Sequence, residues 1–467
     1  MRDAAFALVW AVMFPISFWS PHIGVLLWVW VALIAPNYQL YGIMASVPYN
    51  KVVAVVTIGV LLVSRERKQF YFDGMIVVLL LFTAVATVSA FGSITGDDNN
   101  WDLYSKLLKT VALTIMISGV MWSRYRLHAL LIAMCLGYGF FAVSEGGQFL
   151  LTAGGHKVLG ASSVGDNNAL AAAVLMIIPF LAYLMQYSAW KPVKLGFMGM
   201  LAFSILCVVG TNSRGGFLGM VILGGMYAAR SRRKVLSSVL VMMGAVLVLA
   251  LAPASWYSRL DTLNNTSADG SFMERVTVWK ISTLIALEHP FFGGGLHAVQ
   301  TWPVWLKYGA QLPFLEDLVS TPPPDPFPRA AHSSYFEVLG DMGFLGLGLF
   351  LMLLAIALWD CSRTIRLARR RPELTWAADM ARMVQITVVV YAVTTISLSM
   401  AYFEGLFVVL GIASRLLRTV RQSVAGTLPT EAVAVAQPRR SLPDVRPPGL
   451  PAPAGTAVAM TASTRGR

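Results

Sequence analysis

Charge is scarce in this chain, and acidic charge above all: 13% of residues are charged, with 23 Asp and Glu against 36 Lys and Arg. A soluble domain carries about 25% charged residues, so a water-exposed globular fold is excluded. Cysteine is almost absent. The three present, Cys135, Cys207 and Cys361, sit in or beside apolar runs, with neither disulfide-framework nor metal-ligand spacing. No Asp-x-Asp occurs, and Asp97-Asp98 is the one pair of adjacent aspartates. That is a poor Mg²⁺ site and points away from metal-dependent sugar transfer. No Gly-rich nucleotide loop stands out, and no internal repeat marks the duplicated halves of a transporter. No metal or cofactor is expected.

What the chain has in abundance is apolar runs, with 57% hydrophobic residues. A membrane span needs about 20 mostly apolar residues. The expected fold is an all-α polytopic membrane protein of about twelve spans. Clear runs lie near Met75–Phe91, Leu107–Trp122, Leu127–Ser144, Ala169–Tyr187, Leu195–Val209, Gly215–Ala229 and Val235–Ala252. Three more lie at Tyr335–Trp359, Met383–Met400 and Phe403–Leu417. Before Met75 the runs Ala5–Phe18, Ile23–Ala35 and Val52–Val63 are each short for a crossing, so one of them is expected not to span. The N-terminus lacks a small-x-small cleavage site and reads as a retained first span.

The net charge of +13 is spread over short clusters between spans rather than gathered on a soluble domain, which argues against nucleic acid. Basic clusters at Arg65–Lys68, Arg124–Arg126, Lys191–Lys194, Arg230–Lys234 and Arg363–Arg371 alternate with loops carrying Asp97-Asp98, Glu145 and Asp166. The positive-inside rule then puts the basic loops in the cytoplasm. It puts Arg214 and the long polar stretch Pro253–Ala331 on the other side. The expected domains are an N-terminal transmembrane bundle over 1–252, a large, partly helical periplasmic loop over 253–333, C-terminal transmembrane helices over 334–417, and a disordered cytoplasmic tail over 418–467. The tail is Pro- and Ala-rich and cannot bury a core.

Cationic and titratable groups converge on the outer side. Arg214, in Thr211-Asn212-Ser213-Arg214-Gly215-Gly216, lies where two apolar runs meet, an expensive place for a charge. Read blandly, it is a snorkelling anchor beside a helix-packing glycine face. Arg275 opens a segment with helical apolar spacing that ends at His289-Pro290, before Gly293-Gly294-Gly295. An arginine fork can grip a phosphate bidentately, whereas a solvated helix end is the plain alternative. His332 precedes Ser333-Ser334-Tyr335-Phe336-Glu337 where the chain re-enters the membrane, and an imidazole titrates near operating pH as a general base requires. Asp166 and Asn167 open a span on the same face, where capping is the simplest role. Lys280, His297 and Tyr335 are further candidates.

These residues resemble a family. Ser213-Arg214-Gly215-Gly216, Arg275 with Trp279, His289–Gly295, and His332–Gly340 with Gly343 and Gly346 are similar, in order and spacing, to the O-antigen ligase superfamily. Gly24–Trp28, Ser64–Lys68 and Gly165–Ala169 resemble one branch, the exosortase-associated putative O-glycosylation ligases. The resemblance reaches to about Leu417. It implies a bacterial inner-membrane enzyme that moves a glycan en bloc from undecaprenyl diphosphate to a lipid A-core or other hydroxyl acceptor at the periplasmic face, without metal or nucleotide. It implies that Arg214, Arg275 and His332 are the essential residues, with the two arginines on the diphosphate. A polymerase or protein O-glycosylation ligase of the same superfamily remains open, and a lipid or polysaccharide transporter is the remote non-enzyme alternative.

Overall fold

The computed structural model describes residues 2–66, 68–161, 164–230, 270–315, 321 and 327–427. Val235–Ala252, much of the polar stretch and the tail from Leu428 onward therefore lie outside the described residues. The regular secondary structure of the described part is helical apart from one short hairpin, Gly160–Ala161 antiparallel to Gly165–Asp166.

The helices are α1 (Arg2–Ile16), α2 (Pro21–Ile34), α3 (Gly42–Ser46), α4 (Tyr49–Val63), α5 (Gly74–Phe91), α6 (Asp98–Val120), α7 (Arg124–Leu151), α8 (Asn167–Tyr187), α9 (Lys191–Gly210) and α10 (Arg214–Arg230). Then come α11 (Gly270–Glu288), α12 (Trp302–Gly309), α13 (Ser334–Ala368), α14 (Thr375–Thr394) and α15 (Glu404–Val424). Side-chain caps set several starts. Asp73, Ser123 and Asp166 accept N–H bonds from Ile76, Arg126 and Ala169 at 2.9, 3.3 and 2.9 Å.

Among the described residues, eight helical segments are long and apolar enough to cross a bilayer, while the apolar helices Asp3–Ile16 and Tyr49–Val63 are shorter. Of the three short N-terminal runs, the one at α2 thus has the required length, counted with the turn that follows it to Tyr38. Two expectations change. Glu145, anticipated in a loop, lies inside α7, where its carboxylate meets His156 Nε2 at 2.8 Å. The penultimate span, expected over Met383–Met400, is helical over Thr375–Thr394 and tightens to a 3₁₀ turn at Thr395–Ser397.

The centre of the bundle is α8, 83% of whose span is buried, whereas only 22% of the α9 span is covered. Around α8 stand α7, α9, α10 and α14. Small residues let them close in. A Cβ on Gly216 would lie 2.9 Å from the Ala171 Cβ, and one on Gly219 2.6 Å from Leu175 and 2.7 Å from Thr394. The glycines after Arg214 are therefore packing residues that seat α10 against α8 and α14. Across the bundle, α13 packs on α5, α11, α14 and α15.

Candidate active site

Three helix N-termini meet at one end of the bundle: those of α8, α10 and α13. Two are entered in the same way. Asn212 (φ 52°) and His332 (φ 45°) are left-handed residues, and a serine follows each just before its helix begins. Asn and His are among the residues that tolerate this region best. Ser213 Oγ accepts from the Gly216 N–H at 3.0 Å and so caps α10, which places Arg214 on its first turn. The Asn167 side-chain amide, at the start of α8, donates to Thr211 O at 2.7 Å and ties that turn to the second helix.

The His332 turn is fixed from both sides. Ser334 Oγ donates to Leu398 O and accepts from the Met400 N–H, both at 2.9 Å, and Glu337 accepts from the Ala401 N–H at 3.0 Å. From above, the Trp279 indole donates to Ala331 O at 2.8 Å and stacks flat on Phe336 with centroids 4.9 Å apart. Trp279 lies one helical turn after Arg275, so both share a face of α11. Arg275 is thereby brought into electrostatic reach of His332.

His332 is half-buried, and its imidazole is held below its ordinary value of 6.5. Burial is the main cause, followed by the Arg275 charge; Asp166 and Glu274 pull the other way, and Arg329 adds to the lowering. The ring is therefore neutral at pH 7, able to accept a proton, amid charges of both signs. Helix N-termini and arginine side chains favour a bound anion here.

The candidate residues divide accordingly. His332, Arg275 and Asp166 come together, while Arg214 stands on the first turn of α10, beside the Thr211 turn that Asn167 ties to the start of α8. Three others serve different places. Tyr335 turns away, its hydroxyl donating to Ala392 O of α14 at 2.6 Å. Lys280 is buried, with Nζ donating to Thr321 Oγ1 at 3.0 Å. His297 donates its backbone N–H to Asp341 Oδ1 at 3.1 Å and sets Nδ1 3.7 Å from Asp97 Oδ2.

Sequence reasoning missed how the glycine-rich run is used. At Gly343 (φ 66°, ψ −167°) the helical path of α13 is interrupted. The loop after α11 docks into the break: Gly294 N–H donates to Gly340 O at 2.9 Å, Gly295 N–H to Asp341 O at 3.2 Å, and Phe344 N–H to Pro290 O at 2.8 Å. A Cβ on Gly293 would strike Asp341 and Met342 at 2.5 Å, and one on Gly343 would strike Pro290 O at 2.6 Å. The loop thus locks the C-terminal end of α11 to α13. Glu274 was also missed; its only signal is adjacency to Arg275.

Fold and site together define a multi-pass helical membrane protein with a mixed-charge polar centre at one end of its bundle. Residues 199–351 match the family model O-Antigen ligase, and residues 1–189 match a Family of unknown function (DUF5935). The matched segment 199–351 contains Arg214, Arg275 and His332 and supports a relationship of the chain to the O-antigen ligase superfamily. Asp166 and Asn167 fall in the other matched segment. No match was found among curated proteins.

Proposed function

We propose that this protein transfers a glycan en bloc from undecaprenyl diphosphate to a hydroxyl acceptor, lipid A-core in the first instance, at the periplasmic face of a bacterial inner membrane. The observation that carries this reading is the neutral-held His332 beside Arg275, inside a domain of O-antigen ligase type. In this reading the acceptor oxygen attacks the anomeric carbon as the bond from that carbon to the diphosphate oxygen breaks. The hydroxyl proton passes to the His332 imidazole, and the diphosphate departs with the bonding pair. Arg214 and Arg275 stabilise the charge gathering on the leaving group, aided by the N-terminus of α10. Attack opposite the diphosphate inverts the anomeric centre. Asp166 and Glu274 offset the arginines before the donor arrives.

In the membrane, about twelve spans are proposed, the described helices together with Val235–Ala252. The polar stretch 253–333 folds over the periplasmic end, and the tail is cytoplasmic. Labelling of Asn264→Cys but not Ser423→Cys from outside intact spheroplasts supports this orientation, and the reverse pattern overturns it. Background is low because Cys135, Cys207 and Cys361 are buried.

Two neighbouring readings share the site and differ in acceptor: a polymerase that extends the lipid-linked glycan, and a protein O-glycosylation ligase. Lipopolysaccharide banding of a deletion strain separates them. Loss of long chains with accumulation of lipid-linked glycan is the ligase result. A single-repeat ladder is the polymerase result, and normal banding with an unglycosylated protein is the third.

A further inference from the structure

The far end of α13 carries a second concentration of cations. From Phe344 to Ala368 the helix advances about 1.5 Å per residue, roughly 37 Å, so this end lies a bilayer core away from His332. Along one face of α13, Met352, Ile356 and Trp359 are followed by Arg363 and Arg366, with alternating spacings of four and three residues, and Arg370 comes just past the helix end. All are exposed except Ile356, which is half-buried. The stripe is apolar along the bilayer and basic where it leaves.

Cavities border this stripe. One, of 410 Å³, lies between the start of α5, α13 and α15, and its wall includes Ile356, Trp359, Arg363, Leu417, Arg418 and Arg421. The next turn of each helix borders another, of 830 Å³, with Arg366, Arg369, Arg370, Arg371 and Val424 around it. Asp73 and Asp360 also line the first. Asp73 is already engaged, Oδ1 accepting from the Ile76 N–H at 2.9 Å and Oδ2 from Ser414 Oγ at 2.7 Å. Arg371 pairs with Glu373 at 3.9 Å. Asp360 lies within electrostatic reach of Arg363 and Arg421, but among the described residues Arg363, Arg369, Arg370, Arg418 and Arg421 form no close ion pair with a carboxylate. Arg366 lies over the Trp359 ring at 5.7 Å and Arg418 over Tyr71 at 4.9 Å, which orients their planes.

We propose that this end of α13 and α15 binds the phosphate of an anionic membrane lipid, with the headgroup among Arg363, Arg418 and Arg421 and the acyl chains along Met352, Ile356 and Trp359. The apolar half of the stripe is what distinguishes a lipid from a soluble anion: free phosphate gains nothing from it. Basic pockets between spans at a membrane surface take anionic headgroups in this way, and an interfacial tryptophan marks the level of the headgroups.

The test uses the full chain, delipidated in detergent. Cardiolipin, phosphatidylglycerol and phosphatidylethanolamine are titrated by native mass spectrometry, with inorganic phosphate and pyrophosphate as soluble competitors. The expected result is retention of the anionic lipids over phosphatidylethanolamine and no displacement by the competitors. Arg363→Gln/Arg418→Gln/Arg421→Gln should weaken the anionic lipids by about tenfold or more. Equal binding of phosphatidylethanolamine, an unchanged affinity in the triple variant, or displacement by millimolar phosphate would overturn the proposal, the last by showing a soluble-anion site. Should the triple variant fail to fold, the unaltered protein is photolabelled with a diazirine-bearing anionic lipid. Labels concentrated on peptides containing Met352–Arg363 and Leu417–Arg421 support the site; labels spread evenly over all spans contradict it.

Discussion

The two ends of α13 use arginine in opposite ways. At the His332 end, arginines stand among acids: Arg275 and Arg329 share the imidazole's field with Asp166 and Glu274, and backbone bonds fix the turn beneath them. At the other end Arg363 and Arg366 on the last turns of α13, and Arg369 and Arg370 just past its end, are exposed beside open cavities, one of which Asp73 and Asp360 also line. Charge held among opposite charges by a rigid frame is preorganised for a reaction in which charge moves. Charge left on long exposed side chains suits a fluid, variable surface and fixes the orientation of the chain in the bilayer.

The sharpest way to break this contrast is to keep charge and change shape. Arg214→Lys and Arg275→Lys retain the cation but lose the fork, and each should reduce glycan transfer by about 100-fold or more. Arg382→Lys at the basic end, where the arginine pairs with Asp379, should stay within about twofold. Equal tolerance of all three, at matched membrane levels, would erase the distinction.

The frame itself comes next. Gly343 occupies a backbone region essentially confined to glycine, and a methyl group there meets the His289 and Pro290 carbonyl oxygens at 2.9 and 2.6 Å. Gly343→Ala should cost about 3 kcal/mol or more and lower the melting midpoint in detergent. An unchanged midpoint would show that the loop does not lock onto α13.

A subtler test reads pH. The Arg275 charge disfavours imidazolium, so removing it raises the His332 pKa; the Asp166 charge favours imidazolium, so removing it lowers the pKa further. For a base that must be neutral, Arg275→Gln should move the acid limb of kcat/KM to higher pH in its residual activity, and Asp166→Asn should move it to lower pH. Asparagine keeps the α8 cap, which separates charge from capping. Shifts of the same sign in both variants would contradict the arrangement. The smallest effect is expected of Trp279→Phe, which keeps the stack on Phe336 and loses one hydrogen bond to Ala331 O. A decrease of about tenfold or less is consistent with a bond of about 1 kcal/mol; loss of all activity would give Trp279 a larger role.

Arg214 stood out in the sequence because it sits at a junction where charge is costly, whereas Arg275 and His332 stood out chiefly through the family pattern they share; the structure brings those two into one electrostatic field. Asp166 was legible as a cap and acts as one. What could not be read was tertiary: that Gly293 and Gly343 face each other's backbones, and that Tyr335 turns toward α14. Helix ends were blurred for a physical reason. The last nine residues of α13, Asp360–Ala368, include two arginines and read as loop, yet the helix continues because long side chains carry their charge out to water. The helix before Met383 likewise begins earlier than the apolar run, at Thr375, because Trp376, Ala377 and Met380 pack on the core.

The most direct measurement is donor binding and turnover of His332→Ala in nanodiscs, with an undecaprenyl diphosphate-linked glycan and a hydroxyl acceptor. If His332 takes the acceptor's proton, turnover falls by about 10²–10⁴-fold, while donor affinity stays within a few fold because the arginines are intact. Collapse of donor binding, or turnover within a few fold of the unaltered protein, would contradict the assignment of His332 as the base.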